Sequence, residues 1–206
     1  MAENLWKRCR ADLYRGFGGR FARWLIAKDI QPPYNSFGNG SAMRVSSAGF
    51  MAKDAKECIE LATLTAMPTH NHPEGVKGAV ATALAIFYGM QGQNKDFIRE
   101  HVLEKYYPNW SDLTYQGIKP NYDFDETCQQ TVPTALICFL ESADYADCLK
   151  LAIALGGDAD TLAAISGPMA YAFYKTMPKE LIDNAIAKLP EWMLQVNKQF
   201  DEFVSK

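Results

Sequence analysis

Several things are scarce in this sequence of 206 residues. It has three histidines, no Cys-x-x-Cys and no Cys/His pair at zinc-ligand spacing. Its cysteines, Cys9, Cys58, Cys128, Cys138 and Cys148, are odd in number. That argues against a disulfide framework or a structural zinc site and fits reduced thiols in a cytoplasm. Long hydrophobic runs are missing too. The longest stretch without a formal charge, Gly78–Asn94, contains Thr, Gly and Gln and is too short to span a bilayer, so no membrane partner is expected. The start of the chain has acidic residues and no small-residue cleavage site, unlike a signal or transit peptide. An excess of one charge is absent: Lys+Arg 21 against Asp+Glu 24 gives −3, which argues against nucleic acid as a partner. Long alternating strand patterns are also lacking, with only Val45–Phe50 readable as a short extended piece.

What is present is helical. Ala55, Cys58, Ile59, Ala62 and Ala66 recur on one helix face, and Val76–Met90 is apolar nearly all round, as in the middle of a bundle. Phe97, Ile98, Val102 and Tyr106 form a narrower stripe. Thr131-Val132-Pro133 reads as a helix start, with the hydroxyl as N-cap and proline in the first turn. Tyr145–Leu155 is stopped by Gly156-Gly157, and Thr161–Tyr174 carries a kinking Pro168. Pro178 and Pro190 introduce two last helices, the second with Met193, Val196, Phe200 and Phe203 inward. The reading is a single all-α domain over residues 1–206. Residues 1–28 hold seven basic side chains and two acidic ones among Trp6, Leu13, Phe17, Phe21 and Trp24, which fits a solvated first helix.

Three loops carry polar groups that a bundle does not need. Ser36–Arg44 contains Gly38-Asn39-Gly40-Ser41, where glycines around Asn permit positive φ and turn N–H groups toward an anion or sugar, or form an ordinary turn. Ser41 is placed to cap a following helix, and Arg44 to reach a phosphate or hold a carboxylate. Thr69-His70-Asn71-His72-Pro73-Glu74-Gly75 heads the Ala-rich helix; its histidines lack a third metal ligand nearby, so they either hydrogen-bond a ligand or tie down the loop. The third histidine, His101, lies among Glu100, Glu104 and Lys105 as a surface residue. In Gly156-Gly157-Asp158-Ala159-Asp160-Thr161, two carboxylates and a hydroxyl offer hard oxygen ligands to Mg²⁺, Mn²⁺ or Ca²⁺. The alternative is an Asp N-cap, which needs only one of the two.

In this order the three loops, from Asn35–Val45 through Thr69–Gly75 to Gly156–Ala164, resemble the ADP-ribosylglycohydrolase family over roughly residues 15–195, with Tyr122-Asp123-Phe124 and Thr131-Val132-Pro133 as connecting matches. The resemblance implies an orthogonal helical bundle with two Mg²⁺ ions that cleaves the glycosidic bond at C1″ of ADP-ribose. Asp158 and Asp160 would be catalytic carboxylates and, with Thr161, the C-terminal metal ligands. Gly38, Asn39, Gly40, Ser41 and His70 would line the cleft for ADP-ribose or an ADP-ribosylated substrate.

The family pattern also has an upstream acidic Gly-Asp motif and a Thr-Asp-Asp-Thr metal motif. Neither is in this sequence; no Asp-Asp pair occurs, and Gln130 replaces a glycine beside the Val-Pro. The expectation is therefore at most one well-ligated Mg²⁺ and impaired hydrolysis. The alternatives are a noncatalytic ADP-ribose or nucleotide-binding module and an interaction subunit. A homodimer, or a partner covering the place of the missing segment, is expected to bury the surface left bare. Otherwise the aromatic start of the chain, Trp6, Leu13, Tyr14, Phe17, Phe21 and Trp24, folds back over it.

Overall fold

A helix that is apolar on every side is stable only when other helices surround it, and the Ala-rich segment has that place in the computed structural model, which describes residues 1–13 and 15–204. In chain order the helices are α1 (Ala2–Arg10), α2 (Gly19–Ile26), α3 (Ser46–Met51), α4 (Ala55–Ala66), α5 (Pro73–Met90), α6 (Lys95–Ile98), α7 (Tyr115–Ile118), α8 (Cys128–Glu141), α9 (Tyr145–Leu155), α10 (Ala159–Tyr174), α11 (Lys179–Ile186) and α12 (Glu191–Val204). Helix α6 runs on into a π-helical segment, Arg99–Glu104. Around α5 pack α3, α4, α8 and α10, while α9 lies along α10. Phe139, Leu84, Ile86, Leu136 and Met169 are among the side chains fully enclosed between them.

The ends of these helices follow from local chemistry. Asp54 accepts the Glu57 N–H at 2.8 Å, and Glu57 reaches back to the Lys53 N–H at 2.7 Å. Asp144 and Asp147 repeat the arrangement at the start of α9, with 2.8 Å in both directions. Such reciprocal caps satisfy donors that a helix start leaves unpaired. Gly156 and Gly157 end α9 with φ of 78° and 61°, a region that residues with a Cβ avoid. Pro168 sits inside α10 without ending it.

Four local expectations are overturned. Val45–Phe50 is not extended: Ser46–Met51 is helical, and its Gly49 lies against α5 so closely that a Cβ would stand 2.6 Å from the Ala83 carbonyl oxygen. Close packing of small residues outweighs one β-branched residue here. Helix α8 starts at Cys128, three residues before Thr131, so Pro133 lies within the helix and Thr131 is no N-cap. Ile59 is 38% exposed, since the buried stripe of α4 is Cys58, Ala62 and Ala66. Finally, α12 has no buried residue, and Val196 and Phe203 are 44% and 60% exposed rather than inward.

The peripheral helices form a second zone. Neither α1 nor α11 has a buried residue, and the Arg8 guanidinium lies 6.0 Å from the centre of the Trp192 ring, joining α1 to α12. Trp24 and Leu25 of α2 are buried, with Phe17, Phe21 and Trp24 in successive ring contacts. Trp6 and Phe17 are half-buried and Leu13 is exposed, while Tyr14 lies outside the described residues. His101 is half-buried rather than on the open surface, because its ring stacks on Phe97 at 3.8 Å. No helix among the described residues is long and apolar enough to cross a membrane.

Candidate functional site

The first loop is a hub between the other two. Its Asn39–Ser41 turn is 3-10 helical, and an isolated antiparallel bridge pairs Gly38 with Thr127 at the head of α8. Asn39 N–H donates to the Glu126 carbonyl at 2.7 Å, and Cys128 N–H to the Phe37 carbonyl at 2.9 Å. Behind the loop, Ser41 Oγ donates to the Gly75 carbonyl at 2.7 Å, and Cys128 Sγ–H points to the Gly38 carbonyl at 3.1 Å. Burial pushes the Cys128 thiol up to about 11, which keeps it a neutral packing group.

Neither glycine adopts positive φ as the sequence suggested, and Gly40 works instead by lacking a side chain. Gly38 has φ −64°, and Gly40 is not among the positive-φ residues. A Cβ on Gly40 would stand 3.2 Å from His70 Nε2, so the glycine leaves room for the imidazole edge.

Toward the third loop, buried Asn39 is the connector. Its Nδ2 donates to Asp158 Oδ2 at 2.6 Å and to Thr131 Oγ1 at 3.1 Å. Thr131 in turn donates to the Asp125 carbonyl at 3.1 Å. Asp158 occupies the N-cap position of α10, yet its side chain makes no cap hydrogen bond. Asp160 Oδ1 accepts the Thr161 N–H at 2.8 Å. The Asp158 carboxyl is held above its usual range, first by burial and further by neighbouring Asp160, against the Asn39 hydrogen bond that lowers it. Tyr122 belongs to this acidic end: burial, then Asp125 and Asp158, push its phenol up to about 12. A Cβ on Gly157 would meet the Tyr122 ring at 3.0 Å, so that glycine brings the two loops together.

Toward the second loop the two histidines divide their roles. His72 caps α5, its Nδ1 accepting the Glu74 N–H at 3.1 Å. His70 is buried, and its Nδ1 lies 2.7 Å from Thr69 Oγ1. Arg44 turns inward, donating to Thr69 Oγ1 at 2.8 Å and to the Thr65 carbonyl at 3.1 Å, rather than outward to a phosphate. Burial, then the positive charges of Arg44 and Arg20, push His70 down to about 3, so the ring is neutral at ordinary pH. A neutral imidazole hydrogen-bonds phosphate or hydroxyl without carrying charge.

The structure thus joins Asn39 to Asp158 and sets Gly40 against His70, with Gly38, Asp160 and Thr161 next to them in the chain and Asp160 exposed, while Ser41 lies behind the loop. Two aromatics at the rim escaped the sequence reading. Phe37 is 41% exposed, with its ring 5.3 Å from that of His72, and the Tyr34 ring lies 6.3 Å from that of His70. The available signal was two aromatics, Tyr34 and Phe37, on either side of Asn35-Ser36. Among the described residues, no group of three or more His, Cys, Asp or Glu could hold a metal ion. The carboxylates and hydroxyl at Asp158, Asp160 and Thr161 are still hard donors that suit a divalent cation retaining several waters.

Residues 3–203 match the profile of the ADP-ribosylglycohydrolase family. ADP-ribosylhydrolase ARH3 of Bos taurus is 25% identical over 186 residues, covering 68% of this chain and 50% of that protein. The Mus musculus ARH3 is 26% identical over 234 residues, covering 84% and 62%, and that of Danio rerio 29% over 184 residues, covering 68% and 50%. The chain spans about half the length of the curated relatives it matches. A solved ADP-ribosylglycohydrolase-related protein complex superposes with a TM-score of 0.69 at 22% identity, covering 89% of this chain and 68% of that one, which shows a shared fold.

Proposed function

The chain belongs to the ADP-ribosylglycohydrolase family, and from that premise we propose that it is a hydrolase cleaving the glycosidic bond between ADP-ribose and a protein side chain or small acceptor. Residues 1–206 form one domain of this type in that reading. The observation that carries it is the contact at 2.6 Å between Asn39 and Asp158, which ties the glycine loop to the first of the two carboxylates. The diphosphate lies on the Gly38–Ser41 backbone beside neutral His70, and the reacting ribose lies against Asp158 and Asp160.

Positive charge develops on the ribose in an oxocarbenium-like transition state, and preorganised carboxylates stabilise it most where water is excluded. Asn39 holds the Asp158 carboxylate in place so that it need not reorient during reaction. Asp158, Asp160 and the Thr161 hydroxyl would hold one Mg²⁺, which would orient ribose hydroxyls and make a bound water more acidic. His70 positions a phosphate or hydroxyl.

The test is incubation with ADP-ribosylated arginine or serine substrates and Mg²⁺. Released ADP-ribose is expected, with Asp158→Asn slower by about 100-fold or more. A second reading is a nucleotide-binding module without turnover, the sequence having no Asp-Asp pair. Calorimetric binding of ADP-ribose without release would select it, and no binding would leave an interaction subunit. Five free cysteines fit a reducing compartment, and the cytoplasm is the proposed location. The exposed apolar residues Leu181 and Ile186 of α11 and Trp192 and Phe203 of α12 are the proposed contact with a second copy. Light scattering that finds only monomer at micromolar concentration would remove that assembly.

A further inference from the structure

On the far side of Tyr34 from His70, α2 and the Gln31–Tyr34 segment border an open surface depression of about 400 Å³. Arg20 and Arg23 line it together with Trp24, Pro32, Pro33 and Tyr34, and none of its described lining residues is acidic. The walls are held in place. Trp24 Nε1–H donates to the Gln31 carbonyl at 2.9 Å, and Arg23 Nε–H to the Gly19 carbonyl at 3.3 Å. Arg20 donates to the Tyr34 carbonyl and holds its guanidinium 5.0 Å from the centre of the Tyr34 ring. Two guanidinium forks above aromatic and proline walls suit a phosphate attached to a flat or puckered ring system.

The position in the cleft says which part of a ligand arrives there. Asp158 is joined to Asn39, Gly40 abuts His70, His70 faces Tyr34, and Tyr34 lies under Arg20. With the reacting ribose at the carboxylates and the diphosphate on the glycine loop, the adenosine half extends toward this cavity. We infer that the Arg20–Arg23 pocket is a subsite for a phosphomonoester on the adenosine side, so that the favoured substrate class is ADP-ribose carrying an extra phosphate there. This inference rests on the reading given above. An acidic peptide fits less well, because Pro32 and Pro33 have no N–H with which an extended chain could pair.

Calorimetry on the full chain at low ionic strength, with ADP-ribose and with its 2′-phosphate, tests it. The phosphorylated ligand is expected to bind at least about tenfold tighter, as charge-assisted hydrogen bonds allow, with the advantage shrinking as salt is added. The ratio of the two affinities within each protein is the readout. It should fall toward one in Arg23→Gln and partway in Arg23→Lys, which keeps the charge but loses the fork. Arg23 is exposed on α2, so these variants should fold. A ratio near one in the unmodified protein overturns the subsite, as does a ratio unchanged in both Arg23→Gln and Arg20→Gln. Failure of either ligand to bind overturns the ADP-ribose reading along with it, whereas ADP-ribose binding without preference overturns the subsite alone.

Discussion

Helices α5 and α12 both turn apolar residues to a helix face, α5 on nearly every side and α12 on one, yet α5 is mostly buried and α12 has no buried residue. The hydrophobic period tells which face of a helix is apolar. Whether that face is covered depends on helices distant in sequence, and the period is silent about them. The loops of the site are the connections into α3, α5, α8 and α10, so their geometry inherits the rigidity of the packing beneath.

The sharpest way to break this comparison is to truncate one side chain in each zone. Phe139→Ala in the core should cost about 3–5 kcal/mol in urea unfolding. Phe203→Ala on α12 should stay within about 0.5 kcal/mol at low protein concentration. Equal losses would show that α12 is covered.

The next effect is a pH dependence confined to the site. Because His70 is pushed down to about 3 in the folded protein, the unfolded chain binds more protons between about pH 6.5 and pH 3. Stability therefore falls as pH falls through that window, by about 3 kcal/mol at pH 4 from this group. Arg44, Arg20 and Tyr34 face or adjoin His70. His70→Gln should flatten the unfolding profile between pH 6 and pH 4. Raised Asp158 works in the opposite sense, since a carboxyl that holds its proton in the folded state favours folding as pH falls.

Asn39→Ala should cost about 2 kcal/mol, because it strips a charge-assisted hydrogen bond from Asp158 and leaves Thr131 without that donor. It should also slow ADP-ribose release, whereas a purely structural role would leave the rate per folded molecule unchanged. Removal of a cap at the edge of the core is smaller still: Asp144→Ala should cost about 1 kcal/mol, read as a lower melting temperature.

The sequence made the three loops and most helices legible, because glycine pairs, prolines at helix starts and apolar periods are local signals. Three kinds of feature were not local. Arg44 was read as facing a ligand, but its partners are Thr65 and Thr69 across the α4–α5 connection. Thr131 looked like a cap because a proline follows two residues later, whereas the bridge from Gly38 to Thr127 starts α8 earlier. Gly38 and Gly40 were assigned to unusual φ, yet the reason for Gly40 is a neighbour, His70, thirty positions away. Local composition names the residue type; the fold decides which of its properties is used.

The π-helical segment Arg99–Glu104 has a consequence for how this chain tolerates change in length. Each π turn closes its hydrogen-bonded ring around one more residue than an α turn, so the segment holds a surplus residue within a continuous helix. Ile98, Val102 and Leu103 nonetheless all reach the core. A one-residue deletion inside the segment has an α-helical register to relax into, whereas the same deletion inside α5 would rotate every following side chain away from its neighbours. The segment is thus a place where the polypeptide can gain or lose a residue without a loop to absorb it.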